Sequence, residues 1–209
     1  RAGLLVRPEG SADSIDRFRD RVMFPIADAR GRIVGFGGRA LGEAKAKYLN
    51  SPETELFHKG RLLYALAAAA RPARNAGTVL AVEGYMDVIG LARAGIDHAV
   101  APLGTAVTEE QLAELWRLAD EPVVCLDGDA AGLRAAERAA ERALPLLRPG
   151  RSLRFVLLPP GEDPDSLVQR QGAEAMRALL DQPMTLADFL WRQAVVGTPL
   201  DTPERRAAA

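Results

Sequence analysis

From residue 78 the chain alternates short apolar runs with segments of helical period. The runs 78–84 (TVLAVEG), 97–104 (DHAVAPLG), 122–127 (PVVCLD) and 152–159 (SLRFVLLP) read as strands. Between them, 85–95, 109–119 and 131–147 read as helices. Gly95 closes the first helix, and Thr108 with Gln111 supplies a capping box for the second. Strands that are apolar throughout, alternating with helices, predict a parallel α/β sheet covered on both faces.

The first 75 residues have a different rhythm. Residues 21–41 read as two strands around the turn DARG, an antiparallel hairpin. Residues 45–60 are polar and turn-rich, 60–70 read as a helix, and 71–77 (RPARNAG) as a boundary. After residue 163 the segments DSLVQRQG, AEAMRALLDQP and TLADFLWRQAV read as helices, with the final TPERRAAA expected to fray. The expected division is a basic α+β part over 1–76, a parallel-sheet part over 77–163 and a helical part over 164–209.

Composition narrows the class. The 209 residues are 48% hydrophobic and 26% charged, as in an ordinary globular protein. No apolar run approaches the ~20 residues of a membrane helix. The start has no apolar leader, and Arg1 in place of an initiator Met suggests a piece of a longer chain. The lone Cys125 excludes an internal disulfide and a cysteine-based zinc site; it reads as a buried apolar side chain in a reducing cytoplasm. The net charge of −1 conceals an asymmetry: residues 1–75 hold 14 Lys and Arg against 8 Asp and Glu, and the remainder 13 against 20. That suits a polyanion gripped on one side and cations held on the other.

Acids gather at the carboxyl ends of the predicted strands. Glu83 ends the first, with Asp87 in the first turn of the following helix; Asp127 and Asp129 end the third; Asp163 and Asp165, in GEDPD, follow the fourth. In a doubly wound sheet all these ends open on one edge. Two like charges ~4 Å apart repel by roughly 4 kcal/mol at an effective dielectric of 20, so such a cluster needs counter-charge. Hard oxygen donors with no cysteine or histidine beside them favour Mg²⁺ or Mn²⁺ over zinc. Extended backbone aims Asp127 and Asp129 the same way, Gly128 leaves room for a phosphate or a sharp turn, and Pro164 holds Asp163 extended. The competing role is helix capping, which Asp129 before AAGLRAAE and Asp165 before SLVQRQG both fit.

With these residues in view, the acidic pattern resembles the Toprim fold of primases, topoisomerases and some nucleases, a Rossmann-like parallel sheet. The wider sequence resembles the RNA-polymerase core of the bacterial DnaG-type primase family. RFRDRVMFPI (17–26), GRIVGFGGR (31–39), KYLNSPET (47–54) and LFHKG (56–60) are similar to its N-terminal motifs, and EGYMDV (83–88), DGDAAG (127–132) and LPPGEDPDSLV (158–168) to its catalytic ones. The resemblance implies synthesis of short RNA primers on single-stranded DNA from ribonucleoside triphosphates, by two-metal nucleotidyl transfer. It implies that Glu83, Asp87, Asp127, Asp129, Asp163 and Asp165 hold Mg²⁺ or Mn²⁺, with Glu83, Asp127 and Asp129 catalytic; Glu83 is either a ligand or the proton acceptor. It further implies that Arg39, Lys47 and Lys59 meet nucleotide phosphates and template.

Arg17, Arg19 and Arg21 alternate, so in a strand they would share one face, either following a phosphate backbone or simply solvated. Tyr48 and His58 stack on bases or pack and cap; GFGG (35–38) reads as a flexible hairpin strand, and Trp116 and Trp191 as core. The family's zinc-binding and helicase-binding domains are expected outside these residues, so contact with the replicative helicase would lie there and initiation from this chain alone would be weak. The expected setting is the bacterial cytoplasm at the replication fork, with no membrane partner. A Toprim nuclease and a non-catalytic nucleic-acid-binding module are the competing functions.

Overall fold

The computed structural model describes residues 3–10, 12–104, 106–195 and 202–208. Its first part is antiparallel: a ribbon of β1 (Leu5–Val6) and β2 (Ile15–Asp16), then β3 (Arg21–Ala27), β4 (Ile33–Ala40) and β5 (Tyr48–Asn50) in the order β3-β4-β5. The expected hairpin joins β3 and β4, its turn held by Asp28 paired with Arg32 at 2.7 Å. The glycines of β4 are not a source of flexibility. A methyl group on Gly37 would come within 2.7 Å of the Tyr85 ring, and one on Gly35 would come closer still to the Phe57 ring. Small residues here let aromatic rings sit on the strand.

The chain next enters the larger sheet through β6 (Leu63–Tyr64) and α1 (Leu66–Ala76). The helix therefore begins later than expected and runs through the stretch read as a boundary. Leu63 and Tyr64 pair with the sheet, Ala65 turns left-handed at φ 63°, and burial of Ala69 and Ala73 carries the helix past Pro72 to Gly77. Then come β7 (Leu80–Ala81), α2 (Tyr85–Arg93), β8 (Ala99–Pro102), α3 (Glu109–Leu115), β9 (Val123–Leu126), α4 (Ala130–Ala143) and β10 (Arg154–Leu157). They continue into α5 (Pro164–Leu180), β11 (Met184–Thr185), α6 (Leu186–Val195) and α7 (Pro203–Ala208).

The sheet order is β11-β10-β9-β7-β8-β6; the four inner strands are parallel and the two edges antiparallel. Period-2 alternation sorts its side chains between two cores. Ala81, Val100, Val124, Leu126 and Phe155 face one core, with α1, α3, α4 and α6. Leu80, Val82, Ala99, Ala101, Val123, Cys125 and Val156 face the other, with α2 and α5. A third cluster of Phe24, Ile26, Phe57, Tyr85 and Leu103 joins the antiparallel part to the parallel one.

Two expectations are corrected, and the break between DSLVQRQG and AEAMRALLDQP is found at Gly172. Trp116 is core and donates Nε1–H to Ser152 O, but Trp191 is 62% exposed on the outer side of α6, whose inward positions are Leu186 and Phe189. Residues 203–208 form a helix with Thr202 accepting from the Arg205 amide, where fraying was expected; Ala209 lies outside the described residues. Gly172, at φ 84°, separates the two helical stretches of α5. Among the described residues no helix is long and apolar enough to cross a membrane.

Candidate active site

The parallel strands deliver their acids to one edge. Beyond β7, Glu83 precedes Gly84, which starts α2, and Asp87 at the third position accepts the Gly84 amide at 2.9 Å. Beyond β9, Asp127 donates its amide to Glu83 Oε1 at 3.3 Å, and Asp129 caps α4 by accepting the amides of Ala131 and Gly132, both at 2.7 Å. Beyond β10, Asp163 caps α5 by accepting the Ser166 amide at 2.6 Å.

These carboxylates feel one another. Burial, then the charge of Asp127, pushes Asp87 up to about 7 despite its bond from Gly84, with Asp163 and Glu83 adding to the rise. Burial, then Glu83, Asp163 and Asp129, pushes Asp127 up to about 7. Glu83 is also raised, first by burial and then by Asp129 and Asp163, against the opposing Asp127 amide and the positive Arg138. Among the described residues, Asp127 Oδ1 is buried with no hydrogen-bond partner. A buried charged oxygen without a donor is costly unless a cation meets it. The residues thus fit a divalent cation, although among the described residues no three acid, cysteine or histidine side chains already stand as a ready-made cage.

The capping and metal roles are not exclusive, since both caps use only Oδ1. Asp165 is not the cap of α5. Pro164 takes the first helical position, which moves the cap back to Asp163 and lays Asp165 over Gly90 of α2. The Tyr48 phenol is raised first by burial and then by the charges of Asp87, Asp163 and Asp165, against the opposing Arg39. Gly128 makes no room for a phosphate either: its amide donates to Glu162 O at 2.9 Å, and a methyl group there would run into the Pro159 carbonyl.

The basic residues divide by what already holds them. Residues 17–19 are not strand, and Asp20 is left-handed at φ 52°, so Arg17, Arg19 and Arg21 share no strand face. Arg17 donates twice to Asn50 O, and Arg21 donates to the carbonyls of Gly38, Ala46 and Lys47. Arg19 and Lys47 are exposed. Arg39 sits 6.0 Å over the Tyr48 ring. Lys59 is half-buried, its carbonyl accepting from Gln111. His58 lies 3.4 Å from Glu53.

Sequence reasoning missed Asn50. It accepts from the Tyr85 hydroxyl at 2.5 Å and donates to Leu103 O at 2.9 Å, tying β5 to the sheet edge. Tyr48, Asn50, Glu83, Tyr85 and Leu103 line a cavity of about 320 Å³ beside the acids. Its only sequence signal was its place inside KYLNSPET. Glu162, Ser166 and Arg170 were missed as well; Ser166, three residues after Asp163, was a legible capping signal.

The chain is similar to known proteins along its whole length. Residues 1–70 match the family described as DNA primase catalytic core, N-terminal domain, and residues 77–156 match the Toprim domain. The DNA primase of Escherichia coli K12 is 52% identical over 206 residues, covering 99% of this chain and 35% of its own length. A crystal structure of a DNA primase domain from Pseudomonas aeruginosa superimposes with a TM-score of 0.92 at 51% identity, covering 99% of this chain and 65% of that one. A DnaG primase catalytic domain bound to single-stranded DNA does so with a TM-score of 0.88 at 51% identity, covering 99% and 64%. The chain spans about a third of the length of the curated relatives it matches. With both parts matched in order along one chain, the chain belongs to the DnaG DNA primase family, as part of its catalytic core.

Proposed function

We propose that this chain is the RNA-polymerising core of a bacterial replicative primase, joining ribonucleoside triphosphates into short RNA primers on single-stranded DNA. The observation that carries this reading is the buried, unpartnered Oδ1 of Asp127, set among Glu83, Asp87, Asp129 and Asp163. Toprim and primase membership imply divalent-metal chemistry, and the hard oxygen donors favour Mg²⁺ or Mn²⁺. Such ions, when bound, stabilise the attacking and leaving oxygens of phosphoryl transfer.

The chain's own residues do the rest. Glu83, Asp87, Asp127, Asp129, Asp163 and Asp165 form the acidic rim that holds the ions. Glu83, whose carboxyl is raised by burial, is also suited to receive the proton of an attacking 3′-hydroxyl. The cavity of Tyr48, Asn50 and Tyr85 beside Glu83 offers ring faces and an amide to a nucleotide. Arg39, Lys47, Lys59 and Arg19 face nucleotide phosphates and template, while Arg17 and Arg21 brace the segment that carries Lys47, Tyr48 and Asn50. The setting is the bacterial cytoplasm at the replication fork, with the replicative helicase engaged by parts of longer relatives outside these residues.

The test is a primer-synthesis assay on single-stranded DNA with labelled ribonucleoside triphosphates and Mg²⁺ or Mn²⁺. Labelled RNA that vanishes in Asp127→Asn supports the reading. Shortened template in place of RNA product would refute it in favour of a nuclease.

A further inference from the structure

Glu162 is the acid of the GEDPD turn with no place in the metal-holding set, and it is buried. Its Oε2 accepts from Ser166 Oγ at 2.7 Å and from Arg170 at 2.8 Å. The Ser166 hydroxyl also lies 3.1 Å from Asp163 O, but the charged acceptor at shorter distance wins its proton. Ser166 is in turn locked to Asp163, taking its amide at 2.9 Å and donating its own amide to Asp163 Oδ1. Arg170 balances the charge of Glu162, so this carboxylate braces the turn instead of adding one more unpaired anion to the cluster.

The backbone of Glu162 reaches the neighbouring loop. Its carbonyl accepts the Gly128 amide at 2.9 Å, and the Gly161 amide returns a bond to Gly128 O at 3.2 Å. Gly128 stands between Asp127 and Asp129, so both of its polar backbone groups are held by the turn 159–163. Among the described residues no donor reaches Asp127 Oδ1, so the bonds at Gly128 and the Asp127 amide are the contacts that hold this loop.

We propose that Glu162 is a positioning residue: clamped by Ser166 and Arg170, it holds the turn 159–163 so that the Asp127–Asp129 loop and Asp163 keep one separation, without itself touching an ion. The inference rests on the metal reading above. Partners behind a metal's own ligands commonly govern affinity by ~10–100-fold, which sets the scale expected.

The experiment is Mn²⁺ titration by calorimetry of the 209-residue chain, with thermal unfolding of each variant alongside. Glu162→Ala is expected to weaken Mn²⁺ binding by ~10–100-fold. Glu162→Gln should weaken it less, because its amide oxygen still accepts from Ser166, and Ser166→Ala should weaken it too. Arg154→Ala, which breaks the pair with Glu121 at the other end of β10, should leave affinity unchanged even where it lowers the melting temperature. A folded Glu162→Ala with wild-type affinity overturns the proposal, as does a Glu162→Gln as damaging as Asp127→Ala, which would make Glu162 a ligand. Should Glu162→Ala not fold, unchanged affinity in Ser166→Ala overturns it instead. A wild-type chain that binds no Mn²⁺ refutes the metal reading itself, a result distinct from either.

Discussion

The amide of Asp127 donates to Oε1 of Glu83 across 3.3 Å, tying the end of β9 to the end of β7 at the point where both strands release their acids. The bond stabilises a Glu83 anion, yet burial and the surrounding carboxylates outweigh it and the Glu83 carboxyl stays raised. Asp127 itself receives no such donor at Oδ1. The site is therefore built at a cost to the metal-free fold, as expected where function requires like charges to converge.

Asp127→Asn tests that cost directly. Removing a charge that burial and three neighbouring acids oppose should stabilise the metal-free protein. A gain of ~1 kcal/mol would raise the melting temperature by roughly 2–4 °C for a chain of this size. The same change should weaken Mn²⁺ binding at least ~10-fold and abolish primer synthesis. Differential scanning calorimetry and Mn²⁺ titration on one preparation check both signs. A variant that is less stable and binds equally well would show that Asp127 is structural.

The pH dependence follows from the same two acids. Asp87 and Asp127 are raised from 3.8 to about 7, so between those values the folded state binds more protons than the unfolded one. Stability contributed by these groups is therefore greatest in acid and is lost as pH rises through about 7. The melting temperature of the metal-free chain, measured relative to an Asp87→Asn, Asp127→Asn double variant, should fall from pH 5 to pH 8. Saturating Mn²⁺ should remove most of that fall, because the ions compensate the charges that form. A flat difference across the range would mean that these carboxyls are not raised.

How much of this was legible beforehand varied with the range of the forces involved. The inner strands β7 to β10 were visible because burial on both faces demands uninterrupted apolar runs, and the acids were visible because they sit where those runs stop. The edge strands β6 and β11, two residues each and outside any long apolar run bounded by turns, leave no strand signal, which is why the start of α1 was misjudged. The left-handed turn at Asp20 has no glycine to announce it, so Arg17, Arg19 and Arg21 looked like one strand face. Glu162, Asn50 and the packing under Gly128 depend on contacts between segments distant in sequence, and nothing local marks them. Trp191 followed the helical period as well as a core residue does, but α6 points Phe189 inward and leaves Trp191 outside.

Gly128→Ala probes the close approach of the two acid-bearing loops. The added methyl would meet the backbone carbonyl groups of Pro159 and Leu158, which cannot rotate away as a side chain would. The turn must shift, and with it the bonds from Gly128 to Glu162 and from Gly161 to Gly128. Overpacking of this kind costs ~1–3 kcal/mol. The expected result is a melting temperature several degrees lower together with loss of Mn²⁺ affinity. Gly104→Ala, with open space around its Cβ position, should lower neither comparably.

Arg17 and Lys47 should behave as different kinds of cation. The Arg17 guanidinium is spent on Asn50 O, whereas Lys47 is exposed beside Tyr48, and among the described residues the bonds shown for it are to its backbone carbonyl. If Lys47 meets a template phosphate, Lys47→Ala should weaken single-stranded DNA binding similarly for every sequence and reduce the salt slope of log affinity by ~0.7. Arg17→Ala should instead lower the melting temperature and loosen the Asn50 link to Tyr85 and Leu103, since a half-buried carbonyl loses two donors. Fluorescence anisotropy with a labelled oligonucleotide across a salt series separates the two, because lost phosphate contacts change the slope whereas lost bracing mainly displaces the line. An unchanged slope in Lys47→Ala would place the template path elsewhere on the basic half.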